Sequence, residues 1–461
     1  MKTRKILVGL IAALAMLAVS CGFQFEGDLS VGVEPLSRSE LLALQRLRAS
    51  HEITQGELEA KLLEFLGDSG SRSAFGASVI TGVEMHEAVF EQGFARSAGG
   101  APVAEIPFYV FSLENKAART SGFALASGDS RVGDLFAVVE DGELDADHPF
   151  FQVFFANLDD YILESMEVYN NVTAEEIEAA ISRQAAVASS ASDPSRSTTI
   201  RELRIATRWD QDDPYNDVIR SLYGQSYMTG CVAVAVAQIM AYHKHPAKPA
   251  ARIVDPVYGR AYTSFIDPYT GSTIRFADMK YDWAAMTSTA VPASADAKRA
   301  VGVLMAEVAD RYNLNMAYGT KASSAFSKDV ARTFRNMGYK NTSPQVPYNF
   351  NTIKASIDKG SPVYVSGYSL KTTTQVKTPW WNIFKKYQTV VSHTDGHAWV
   401  IDGYRTSPQM VHCNLGWGVT RNGWYYSGVF DTNRVPEPTR SVEGTSYNYQ
   451  FEQKIVANIA K

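Results

Sequence analysis

Apolar and polar positions follow several distinct rhythms along this chain, and the rhythms divide it. Near the start, Lys2, Arg4 and Lys5 precede an unbroken apolar run over residues 6–19. A helix needs roughly 20 apolar residues to cross a bilayer, so this shorter run predicts the core of a signal peptide. Helical spacing comes next. Ser37-Arg38-Ser39-Glu40 and Thr54-Gln55-Gly56-Glu57 each place a glutamate three residues after a hydroxyl, the capping-box pattern that opens a helix. The second of these, carrying Leu58, Leu62, Leu63 and Leu66, is expected to stop at Gly67. Short apolar runs at 106–112, 122–127 and 135–139 predict strands, with Glu114-Asn115-Lys116 and Gly128-Asp129 as the breaks. Residues 150–169 return to helical spacing. Residues 22–183 are therefore expected to form a small α+β domain. Its histidines, His51, His86 and His148, are scattered and suggest no catalytic site.

Residues 184–199 are small and polar with a single proline, the composition of a mobile linker. Beyond it, over 200–461, lie five of the eight histidines and two of the three cysteines. The chemistry is expected there.

Composition narrows the function classes. With 45% hydrophobic and 11% aromatic residues the chain can bury real cores, which excludes wholesale disorder. Lys+Arg 44 against Asp+Glu 49 leaves a net charge of -5, without the basic footprint of a nucleic-acid binder. Three cysteines make neither a disulfide framework nor a four-cysteine zinc site. The first, Cys21, closes Leu17-Ala18-Val19-Ser20-Cys21-Gly22, which looks like a bacterial lipobox. That makes residues 1–21 a lipoprotein-type signal, with Cys21 the lipidated new N-terminus. Ordinary small-residue cleavage is the alternative. The protein is expected to be exported from a bacterial cell and held at the envelope only through this anchor.

Cys231 opens the apolar stretch 231–243, in which Val and Ala alternate. Alternation favours a strand, yet alanine is poor in strands, and Ala235, Gln238, Ile239 and Tyr242 continue at helical spacing. A buried helix starting at Cys231 is the preferred reading. A thiol in the first turn sits at the positive end of the helix dipole, where free N–H groups stabilise thiolate. A buried cysteine is also a common core filler. Two features favour chemistry. Gln225, six residues earlier on a Gly-Gln turn, carries an amide able to donate to an oxyanion beside the nucleophile. His397 begins an apolar strand between Gly396 and Ala398, and a Cys–His pair forms in space, whatever its separation in sequence. His243 and His245 are poor partners, since His243 would lie roughly 18 Å up the same helix.

These residues resemble a known family. Thr229-Gly230-Cys231-Val232-Ala233, with Ala237-Gln238-Ile239-Met240 and Tyr242-His243, looks like the cysteine block of the streptopain family of papain-like peptidases. Gly396-His397-Ala398 with Val400-Ile401-Asp402-Gly403 is similar to its histidine block. His412-Cys413-Asn414-Leu415-Gly416-Trp417-Gly418 resembles its tryptophan-rich loop. Weaker matches are Trp209-Asp210-Gln211 with Pro214-Tyr215-Asn216, and Ser361-Pro362-Val363-Tyr364. The resemblance implies a papain-like, two-lobed α+β peptidase domain over 200–461, preceded by an inhibitory propeptide over 22–183. It implies Cys231 as nucleophile and His397 as its imidazolium partner, with Gln225 and the Cys231 N–H holding the oxyanion. Asn414 or Trp417 would orient or shield His397, and Ser324 and Gly396 would line the substrate site. The expected partners are protein or peptide substrates and the chain's own propeptide.

Leu415 stands where the family has Trp, and Val419 where it has Gly, which bears on how His397 is oriented. Cys413 reads as a packing residue or as a disulfide partner of Cys231. Residues 371–394, with Trp380, Trp381, Phe384 and Tyr387, form an extra segment, either a lid or a surface hairpin. His393 and His412 are reserve bases. The competing classes are a papain-like lipoprotein acting only as a binding module, and a transglutaminase-type acyl transferase. No cofactor and no metal is implied, because His243-Lys244-His245 lacks a third ligand.

Overall fold

A computed structural model describes residues 36–68, 78–90, 104–190, 198–377, 387–431 and 453–461. Cys21 and its signal segment lie outside the described residues, as do Trp380, Trp381 and Phe384. Both capping boxes form. Ser37 caps α1 (Arg38–Gln45) with Glu40 reaching back, and Thr54 and Glu57 exchange the same bonds at α2 (Gln55–Asp68). Strands β1 (Ser78–Phe90), β2 (Ala104–Asn115), β3 (Thr120–Ser127) and β4 (Leu135–Val139) make an antiparallel meander. Helices α3 (Pro149–Asn171) and α4 (Ala174–Ser190) follow. Helix α4 runs seven residues into the stretch expected to be linker, because Ala185, Ala186 and Ala188 are strong helix formers. Residues 191–197 lie outside the description.

Strand β5 (Ile200–Glu202) leads into a helical lobe. Its main members are α5 (Asp217–Tyr223), α6 (Cys231–His243), α7 (Trp283–Met286), α8 (Ala295–Ala309) and α9 (Val330–Asn336). Two small hairpins, β6–β7 (Ile253–Val254, Ala261–Tyr262) and β8–β9 (Ser264–Ile266, Thr273–Arg275), decorate it. The rest is sheet-based: β10 (Val346–Pro347), α10 (Phe350–Asp358), β11 (Val363–Lys377), β12 (Tyr387–Thr406), β13 (Gln409–Asn414), β14 (Gly423–Tyr426), α11 (Ser427–Phe430) and β15 (Lys454–Val456). The described parts of the extra segment extend β11 and β12 as a paired ladder, with Lys371 opposite His393 and Lys377 opposite Tyr387.

The front and back portions share one sheet. Its order is β1-β2-β3-β4-β14-β13-β12-β11-β15-β10, with β5 also pairing β12. The seam is β4 against β14, where Val138 faces Trp424 and Val139 faces Gly423. Glycine is required at that contact, since a Cβ on Gly423 would lie 2.5 Å from the Val138 carbonyl oxygen.

Period two divides the chemistry between the two faces of this sheet. On one face Tyr364, Ala398, Val400 and Val456 pack with α6 and α8. On the other, Val363, Val365, Trp399 and Ile401 pack against Phe150, Phe151, Phe154 and Tyr161 of α3. The second core therefore belongs jointly to the front and back portions. Fully burying one such aromatic side chain stabilises by about 1.5–3 kcal/mol, so this shared core is a substantial attachment.

Candidate active site

Cys231 is the first residue of α6, entered through Gly230 at φ 89°. That glycine also admits the neighbouring loop, because a Cβ there would lie 3.0 Å from the Ser323 carbonyl oxygen. Val232 to Ala241 are all buried, which fixes the helix, while its first residue is half-buried at the rim. The entry is braced from two sides. Ser323 donates its hydroxyl to the Met228 carbonyl at 2.6 Å, and the Thr229 N–H donates to the Gln211 carbonyl at 2.8 Å. Burial is the dominant influence on the thiol and pushes it up. The backbone N–H groups of Ala398, Val232 and Cys231 itself pull the other way without cancelling it. In this state the sulfur is a thiol, although the helix position favours thiolate.

His397 does not face it. Ala398 lies on the α6 side of β12, and its N–H reaches the sulfur. One residue back, the His397 side chain points to the opposite side, where it is 3% exposed. Its Nε2 is 2.9 Å from the Leu415 carbonyl oxygen, to which the neutral ring donates. The ring stacks between Trp399 (centroids 6.1 Å apart, 13°) and Trp417 (5.9 Å, 29°). Phe150 and His148, at the start of α3, meet it edge-on, each at 6.4 Å. Burial, with His148 adding to it, drives the His397 pKa down to about 3, against the opposing effect of the Leu415 carbonyl.

His148 was not legible as a site residue. It caps α3, its Nδ1 accepting from the Phe150 N–H at 3.3 Å, while its buried Nε2 has no partner. Its ring lies 5.2 Å from Trp417. Burial and then Arg421 lower its pKa to about 4, with Asp145 opposing.

The remaining candidates spread around this centre. Trp417 stacks on His397 as described, while Asn414 is engaged elsewhere. The Asn414 Oδ1 accepts from Gln238 Nε2 at 3.0 Å and its Nδ2 donates to the Thr207 carbonyl at 2.9 Å, so it ties β13 to α6. Leu415, in place of the family's Trp, contributes its backbone carbonyl to His397. Gln225 is exposed on the turn after Gly224. Gln211 has the more telling environment: it is 5% exposed, it holds Thr229, and its buried Nε2 has no partner. Its signal in the sequence was the Trp209-Asp210-Gln211 match. Ser324 is exposed and bridged to Ala317, and Gly396 is exposed with Tyr368 beside it; a Cβ there would lie 2.8 Å from that ring.

Cys413 is fully buried on the α3 side of the sheet, and both it and Cys231 are free thiols. His393 lies on the extended part of β12, opposite Lys371. His412 is a charged anchor. Burial opposes its charge, but Asp402 at 2.6 Å and Glu140 of the front portion at 3.4 Å raise its pKa to about 10. Among the described residues, no group of three His, Cys, Asp or Glu side chains could hold a metal ion.

Residues 209–425 match the model of the peptidase C10 family. Streptopain of Streptococcus pyogenes is 27% identical over 342 residues, which cover 69% of this chain and 73% of that protein. The thiol protease/hemagglutinin PrtT of Porphyromonas gingivalis is 25% identical over 264 residues, 54% of this chain and 26% of that protein. Among solved structures, a prointerpain A fragment of Prevotella intermedia is 21% identical, with a TM-score of 0.51. It covers 82% of this chain and 99% of its own, a likeness in the papain-like two-lobed fold.

Proposed function

Given that residues 209–425 belong to the peptidase C10 family and make this chain a cysteine-type endopeptidase, we propose that it is a zymogen silenced by the displacement of His397. The carrying observation is the orientation of β12: Ala398 meets the Cys231 sulfur while His397 is clamped by His148, Phe150 and Trp417 on the other face. Withdrawal of α3 removes two walls of that clamp. The imidazole then turns to the α6 side and accepts the Cys231 proton. The thiolate attacks the scissile carbonyl carbon, and the oxyanion is held by the Cys231 N–H and the unpartnered Gln211 amide. Collapse breaks the C–N bond as the imidazolium gives its proton to the leaving amine. Water, deprotonated by His397, then hydrolyses the thioester and restores the thiol.

The precursor reading assigns 22–183 to the propeptide and 200–461 to the peptidase, with protein or peptide substrates. Export with a lipid on Cys21 belongs to the same reading, supported by residues 1–22 of the sequence. The test is a Cys231→Ala chain. It should show no casein hydrolysis, no labelling by an epoxide-type cysteine-protease probe, and no conversion of the full chain to a shorter form. Normal self-conversion in a purified preparation would sink the proposal.

A further inference from the structure

The residues that lead into Cys231 hang from two supports. One is Gln211, whose carbonyl accepts from both the N–H and the hydroxyl of Thr229. The other is a tight loop over 317–324. Ala317 and Ser324 close it through two backbone bonds, at 2.8 and 3.0 Å. It turns so sharply at Gly319 that a Cβ there would lie 2.3 Å from the Ala322 carbonyl oxygen. Inside it, the Ser323 hydroxyl, on a residue 7% exposed, accepts from the Gly319 N–H at 3.0 Å and donates outward to the Met228 carbonyl at 2.6 Å. The Gly319 carbonyl, at 3.4 Å, is the more distant acceptor for that hydrogen. The Met228 N–H donates to the same Gly319 carbonyl at 3.0 Å. Both backbone groups of Met228 are thus held by this loop, and Tyr318 adds a stack on Tyr227 (centroids 5.4 Å apart, 12°).

Between Met228 and the nucleophile only Thr229 and Gly230 remain. Gly230, at φ 89°, has no side chain with which to hold its own conformation, so the direction of the next N–H depends on what grips the chain before it. That N–H belongs to Cys231, one of the two donors assigned to the oxyanion; the other is the Gln211 amide. We propose that Ser323 is a positioning residue of this peptidase. By fixing Met228 against the 317–324 loop, it aims the Cys231 N–H and the Gln211 amide at one point. The proposal rests on the cysteine-peptidase reading and on Gln211 as the second oxyanion donor. Thr229 sets the spacing to Gln211, and Ser323 sets the angle of approach. The loop and the helix entry both lie in the peptidase portion, so the brace does not depend on the front portion. A misaimed donor weakens the transition state far more than substrate binding, because the oxyanion exists only there.

The test is a double-mutant cycle on the self-converted enzyme, with active sites counted by titration with the epoxide-type probe. Ser323→Ala should lower kcat per titrated site about tenfold with KM little changed. Ser323→Thr, which keeps the hydroxyl, should recover most of that loss. Added to Gln211→Ala, the same Ser323→Ala change should cost less than about threefold, because one of the two donors it aligns is already gone. If Ser323→Ala loses the wild-type melting transition, Ser323→Cys, of similar shape and with a weaker donor, carries the cycle. A merely structural Ser323 would lower the melting temperature and the number of titratable sites but leave kcat per site unchanged, and that result would overturn the proposal. Equal losses in the wild-type and Gln211→Ala backgrounds would overturn it too. Both outcomes are distinct from a failure of the peptidase reading, which would appear as full activity of Cys231→Ala.

Discussion

Acid should loosen the clamp on His397, and by an amount that can be worked out. His397 and His148 are buried neutral, with pKa values of about 3 and about 4 against an ordinary 6.5. Released from the clamp, each would titrate near its ordinary value. Between pH 6.5 and 4 the clamped state therefore binds fewer protons than the released one, so clamping is at full strength above pH 6.5 and weakens as pH falls. At pH 5 the result hardly depends on how far the buried values are depressed, because both buried rings are still neutral there. Each histidine then weakens the clamp by about 2 kcal/mol relative to pH 7.5, roughly 4 kcal/mol or 10³-fold for the pair, at 1.36 kcal/mol per pKa unit. The neighbouring charges do not change this sign. Arg421 disfavours His148 protonation and Asp145 favours it, and the N-terminal end of α3 repels a cation on His148. His412, at about 10, stays charged across the interval and adds no slope. The assay is hydrogen–deuterium exchange of α3 and β4 amides in the Cys231→Ala chain, corrected for the intrinsic pH dependence of exchange. Protection should fall about 10³-fold from pH 7.5 to 5 in that chain, and only about 30-fold when His148→Leu is added. Protection that is flat over this interval, or a slope unchanged by His148→Leu, would refute the reasoning.

Other consequences are more direct. Gln211→Ala should lower kcat roughly 10²-fold or more with KM little changed, as expected for loss of an oxyanion donor. Gln225→Ala, on an exposed turn, should cost far less; the reverse order in a casein assay would restore Gln225 to that role. Cutting the chain within 191–197 should not by itself separate the portions at neutral pH, because β4–β14 pairing and the α3 core remain. The two fragments should co-elute in size-exclusion chromatography at pH 7.5 and separate near pH 5. Separation at pH 7.5 would show that the shared core is not the attachment described above.

What the sequence could and could not disclose follows from the range of each signal. Capping boxes, turn breaks and the run at Leu135–Val139 act within a few residues, and the elements they predict form where they were read. The helix from Cys231 to His243 was decided by alanine content against alternation, and it is helical. Strand β1 escaped because its side chains remain largely exposed or half-exposed, so no core imposed a pattern on it. The continuation of α4 past Gln184 was hidden by reading Ala-rich sequence as linker, although alanine favours helix. The β4–β14 seam left no local mark except Gly423, since which edge strands join is set by tertiary packing. His148 looked like one of three scattered histidines for the same reason.

The orientation of His397 marks the boundary between these two kinds of information. The motif Gly396-His397-Ala398-Trp399-Val400 identifies the residue and places it on a strand. In a strand the alternation then ties His397 to Trp399 and Ala398 to Val400. The small and aliphatic pair suits the helix that carries Cys231, and the aromatic pair suits a second packing partner. A strand buried on both faces therefore requires something large and apolar on the His397 side. The front portion supplies it with Phe150, Phe151 and Phe154. The same alternation that fits β12 between its two cores turns the imidazole away from the thiol. Bringing His397 to Cys231 requires local rearrangement at the start of this stretch, where Gly396 is exposed and carries no side chain to resist it.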